Sequence, residues 1–146
     1  MNYSEFFERD LKKLSEEISS FKNEEDIWEI KPGISNSAGN LTLHLVGNLN
    51  HFIGAGLGKT GYIRNRENEF SLKNILQEKL IEDIDEIREI IKNTLPTLTQ
   101  DDYKKEFPLL KNAERVTIKY MLLHLLTHLN YHLGQINYLR RIIELN

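Results

Sequence analysis

The chain carries five histidines, and all of them fall in two short stretches: His44 and His51 in one, His124, His128 and His132 in the other. A spacing of four on a helix stacks side chains along one face, so His128 and His132 can direct both imidazoles at one ion. His44 and His51, seven apart, share a face in the same way. A neutral imidazole ligates zinc, nickel, copper or iron, and three imidazoles with a water leave a coordination position where a substrate can bind. An ion held in that way lowers the pKa of a bound water or thiol and so supplies a nucleophile near neutral pH. The plain alternative is a set of buried or interfacial histidines satisfied by hydrogen bonds.

Both stretches need helices to hold them, and the apolar pattern provides these. Tyr3, Phe7, Leu11, Leu14, Ile18 and Phe21 recur at spacings of three and four, which predicts a helix from Tyr3 to Phe21. A polar connection follows, with turn chemistry at Lys31-Pro32-Gly33 and Ser35-Asn36-Ser37, and Trp28 is expected to pack it onto the bundle. A second helix is predicted from Ala38 to Leu57, with Leu41, Leu45, Leu49, Phe52 and Ile53 inward and glycines marking its end. At 100° per residue, His44, Asn48 and His51 lie beside that stripe and face the interior or its mouth. A third helix is predicted to begin after Ser71 as N-cap, with Leu72, Ile75, Leu76, Leu80, Ile84, Ile87 and Ile91 as its apolar face, and to stop near Thr94-Leu95-Pro96. After a long connection over 96–116, Thr117 caps a final helix to about Leu145, roughly 40 Å long. Four amphipathic helices without a strand pattern predict an all-α four-helix bundle, one domain over residues 1–146, in up-down order or with a crossover.

Composition removes several functions. A net charge of -3 argues against generic nucleic-acid binding. The absence of cysteine removes disulfides, thiolate ligands and a thiol nucleophile of the chain's own, so any thiol chemistry needs a thiol from outside. No apolar run reaches signal-peptide or membrane-spanning length, which predicts a cytoplasmic protein with no membrane partner. Gly54-Ala-Gly56-Leu-Gly58-Lys59-Thr60 resembles a phosphate loop, but the first glycine of that motif falls on Ile53, and no strand precedes it. Arg64 and Arg66 follow in the same loop, where they could grip a carboxylate of a small substrate. No Ser/His/Asp arrangement emerges, and no carboxylate pair stands out from 22 acidic residues, so no catalytic group beyond the metal ligands is assigned.

The run His124-Leu-Leu-Thr-His128-Leu-Asn-Tyr131-His132-Leu-Gly134-Gln135-Ile136, with Leu43-His44-Leu45 upstream, resembles the signature of the DinB/YfiT-like superfamily of four-helix bundles, in which a histidine pair four apart is followed by Gly-Gln. The resemblance covers nearly the whole chain. It implies that His44, His128 and His132 bind one divalent transition metal, zinc or nickel best suiting the donor set. It also implies a homodimer, and a metal-dependent transferase in which a low-molecular-weight thiol attacks a small electrophilic substrate. His51 and His124 have no counterpart in the signature: His51 could be a fourth ligand, a proton shuttle or an outer hydrogen-bond donor, and His124 could equally be core. Asn48 and Gln135 could orient the ligating imidazoles, and Gly134 could serve close packing or ligand access. The alternative function is a non-enzymatic bundle that binds metal or a small ligand and dimerises.

Overall fold

The first helix, α1 (Tyr3–Ser20), forms where the periodicity requires it. Asn2 caps it by accepting from the Glu5 amide, and Phe7, Leu11, Leu14 and Ile18 are fully buried. The computed structural model describes residues 2–145. The connection after α1 makes a 3-10 turn, Glu24–Trp28, and lays Trp28 against the second helix at Gly39. A Cβ at Gly39 would come within 2.6 Å of the indole, so this position must be glycine for the ring to seat. Helix α2 (Ala38–Leu49) starts at Ser37, whose side chain accepts from the Asn40 amide at 3.1 Å.

The predicted second helix then continues, but with a different winding. Residues Asn50–Leu57 form a π-helix closed by a bond from the Gly58 amide to the Ile53 carbonyl at 2.8 Å. The glycine run that mimics a phosphate loop is thus helix followed by a left-handed turn at Lys59, φ 52°.

The third helix departs from expectation. Ser71 does not cap it; it is the last residue of a short helix, α3 (Arg66–Ser71), and α4 (Gln77–Thr94) begins only at Gln77. Leu72 and Leu76 are 43% and 62% exposed. The reason lies in α2: the Asn40 side-chain amide donates to the Glu69 and Leu72 carbonyls at 3.0 and 2.8 Å, fixing the chain across the end of α3 rather than letting it coil onward. Helix α4 has no local cap. Glu24 accepts from the Gln77 amide at 2.8 Å, and the Gln77 side chain donates to the Ile18 and Phe21 carbonyls at the end of α1. Tertiary partners do here what a neighbouring Ser or Asp does elsewhere.

The last helix, α5 (Ile118–Glu144), is capped by Thr117, which accepts from the Tyr120 amide. The chain reaches it through a tight turn whose tip residues Asn112 and Ala113 both have positive φ, 48° and 64°, closed by paired bonds between Lys111 and Glu114. Helix α1 packs on α4 and α5, and α2 packs on the same two, so α1 and α2 sit diagonally and each long connection crosses the bundle. This crossover arrangement makes α2 and α5, the two histidine-bearing helices, direct neighbours. Among the described residues no helix is long and apolar enough to cross a membrane.

Candidate metal centre

Packing α2 against α5 brings His44, His128 and His132 together. One ring nitrogen from each lies within 4.8 Å of the others. The Nε2 atoms of His44 and His128 are 3.1 Å apart, and their rings meet edge to face at 5.0 Å between centroids. Tetrahedral bonds of about 2.0–2.1 Å separate two ligand nitrogens by roughly 3.3 Å, so this pair is already near ligating separation. Neutrality is the second requirement, because a protonated imidazole has no lone pair to offer. Burial, reinforced by the neighbouring histidines, pushes the His128 imidazole down to about 4. The His132 imidazole is lowered by burial as well, against the opposing effect of its bond to Gln135.

Each end of the cluster is held through the opposite ring nitrogen. His132 Nδ1 lies 2.7 Å from Gln135 Oε1, an acceptor, so the hydrogen sits on Nδ1 and the Nε2 lone pair is free. His44 Nδ1 lies 3.0 Å from Glu69 Oε1. Glu69 is the residue that sequence reasoning missed. It is 5% exposed, and Arg64 grips it through two bonds, Nε to Oε2 at 2.8 Å and a terminal nitrogen to Oε1 at 2.9 Å. Burial alone would raise its carboxyl pKa, but the hydrogen bonds from Arg64 and His44, with the charge behind them, bring it below the usual carboxylate range. Phe70 covers the His44 ring at 4.9 Å between centroids. Helix α2 makes room for the carboxylate at Gly47, where a Cβ would overlap Oε2 and come within 2.6 Å of Cδ.

The remaining expected site residues lie around this cluster. Arg64 meets it through Glu69 and also directly, a terminal nitrogen lying 3.4 Å from His44 Nδ1, while Arg66 is exposed, its guanidinium 6.0 Å from the Phe70 ring. His124 stacks on His128 at 6.4 Å without joining the three, and its pKa is lowered by desolvation and then by the Lys111 charge. His51 lies in the π-helical segment with its ring 4.7 Å from that of Phe52, and outside the cluster. Asn48 is 9% exposed, and its Oδ1 is buried with no hydrogen-bond partner among the described residues, so it orients no histidine through that atom. Gly134 serves no packing contact within the chain: a Cβ there would meet nothing within 4 Å.

A carboxylate holding one imidazole, an amide holding another and three convergent ring nitrogens make a cluster capable of coordinating a metal ion. A family model described as a protein of unknown function, DUF1572, matches residues 2–146. The chain belongs to the DUF1572 family. Among solved structures, this DUF1572 member is similar to the crystal structure of a DinB-like protein from Bacillus cereus ATCC 10987, with a TM-score of 0.69 and 16% identity over 90% of this chain and 84% of that one. At that identity the likeness establishes the fold, which is DinB/YfiT-like, as the histidine and Gly-Gln motifs suggested. No curated protein matches the DUF1572 chain.

Proposed function

We propose that this protein is a metal-dependent enzyme in which His44, His128 and His132 hold one divalent transition metal, zinc or nickel, and a low-molecular-weight thiol or water attacks a small electrophile. The observation that carries the reading is the convergence of three imidazole nitrogens within 4.8 Å, two of them backed by an acceptor on the far side of the ring. Bound there, the ion supplies Lewis acidity that favours the deprotonated form of the thiol or water near neutral pH.

The chain's own residues supply the rest. Burial keeps the His128 lone pair available at neutral pH. Glu69 accepts the His44 Nδ1 hydrogen and so directs Nε2 at the centre, and Arg64 keeps that carboxylate ionised and fixed. Gln135 does the equivalent for His132 with a neutral acceptor. A homodimer belongs to the same reading: Leu123, Tyr131, Tyr138 and Ile142 form an apolar line on α5, 48–67% exposed, which a second copy would cover.

The test is elemental analysis of protein purified without an affinity tag, beside His128→Ala and His132→Ala, with folding checked by circular dichroism. Near-stoichiometric metal, lost in both variants while helicity persists, is the expected result. Wild type that takes up neither added zinc nor added nickel removes the metal reading. Metal bound without any turnover in a screen of thiols against small electrophiles turns the choice to the non-enzymatic bundle.

A further inference from the structure

Beside His44 and His128 the bundle encloses a recess of about 190 Å³, below the roughly 300–1,000 Å³ of sites for drug-sized ligands. Its walls are unequal in charge. Arg64, Arg66 and Lys111 line it with Asn48, Asn112 and His124, and no Asp or Glu does. Arg64 is neutralised by Glu69. The charged ends of Arg66 and Lys111 lie 6.0 Å from the rings of Phe70 and Tyr120, respectively, and neither has an ion-pair partner among the described residues. Lys111 owes its position to the turn at Asn112 and Ala113, whose left-handed backbone costs about 1–2 kcal/mol per non-glycine residue. The wall of the recess carries Asn48, 9% exposed, whose Oδ1 is the one buried side-chain polar atom without a partner among the described residues. A buried acceptor left unpaired is costly, and a small rotation of the amide into the recess would bring this one to a donor held there.

We propose that this recess seats a small carboxylate-bearing ligand whose carboxylate meets Arg66 and Lys111 and whose adjacent N–H or O–H donates to Asn48 Oδ1, beside His44 and His128. The inference deepens the metal-centre reading by giving the chemical class of what approaches that centre, and it rests on that reading for the ligand's reactive end.

Three matched probes test it in solution by ligand titration followed by NMR: N-acetylglycine, which has both the charge and the N–H; N-acetylglycinamide, which lacks the charge; and butyrate, which lacks the N–H. N-acetylglycine is expected to bind roughly tenfold more tightly than its amide, and the double variant Arg66→Gln/Lys111→Gln should erase that preference. Asn48→Leu should weaken N-acetylglycine by roughly three- to tenfold, leave butyrate unchanged, and raise the Tm of the ligand-free protein, since it removes an unpaired acceptor. Equal binding of the three probes, a charge preference that survives the double variant, or a lower Tm for Asn48→Leu would each overturn the proposal. Metal content measured on the same samples reports on the metal reading and does not enter these comparisons, so the two can fail separately.

Discussion

Two sides of the bundle are built from different materials. Helices α1 and α4 meet through aliphatic side chains such as Leu11, Leu14, Ile84 and Ile87, all fully buried, and their charges pair at the surface, as Glu8 does with Arg88. Around α2 and α3 the interior instead holds Ser37, Asn40, Thr42, His44, Asn48 and Glu69, each 9% exposed or less. Asp10, joined to Arg9 and Asn130, is the one buried acid on the α1 side among the described residues. An apolar interface is forgiving because dispersion and burial are spread over many contacts. A buried polar cluster is not, because each member is desolvated on the strength of a particular partner. The α1–α4 half therefore carries stability, and the α2–α3 side carries a geometry.

That contrast predicts a ranking of substitutions. Glu69→Ala strands Arg64 and His44 and should cost about 3–5 kcal/mol of stability by urea denaturation. The gentler Glu69→Gln should keep the fold and weaken metal binding roughly 10–100-fold by chelator competition. Unchanged affinity would reduce Glu69 to a packing role. Gly47→Ala, which forces a methyl into the Glu69 carboxylate, should cost about 1–3 kcal/mol, and the double variant Gly47→Ala/Glu69→Gln should show coupling rather than additivity.

Acid should act on the same side of the molecule. The His128 imidazole titrates at about 4 when folded against an ordinary 6.5, so between these values the unfolded chain binds more protons and stability falls as pH drops through the window. Allowing for solvent screening, the metal-free protein should lose roughly 1–2 kcal/mol between pH 7 and pH 4.5. His51, His124 and His132, whose pKa values are also lowered, add in the same direction. His128→Gln should flatten the profile.

Two substitutions on exposed helix faces mark the lower end of the scale. Gly134→Ala on α5 should add about 0.5–1 kcal/mol, read as a higher Tm, because the new methyl meets open space. Removing the half-exposed pair between α1 and α4 by Arg88→Ala should cost about 0.2–1 kcal/mol, less at high salt. A loss there as large as that of Glu69→Ala would collapse the distinction between the halves.

Sequence periodicity reached far on the side where packing is apolar and less far where it is polar. The stripe of α1 and the caps Ser37 and Thr117 are local signals, and the helices form where these put them. The start of α4 was misread because Leu72, Ile75 and Leu76 continue a helical period behind Ser71. What keeps them out of a helix is Asn40, about 30 residues away. Local spacing cannot register such a bond. The histidines were legible because only five exist in the chain, whereas Glu69 is one of 22 acids and its role depends on α3 folding back over α2. The trace it leaves is Gly47, a residue without a side chain on the inner face of a helix, opposite the space that the carboxylate fills.

The seating of Trp28 on Gly39 gives the protein an internal optical gauge. The chain has a single tryptophan, and its ring lies on the first turn of α2, five residues before His44. Indole fluorescence therefore reports the docking of the connection between α1 and α2, while far-ultraviolet dichroism reports the helices as a whole. Where the two signals melt together, the bundle opens as one cooperative unit. Fluorescence lost at lower denaturant than helicity would locate the first opening at the end of the helix that bears His44, and ion binding would be read as the closing of that gap.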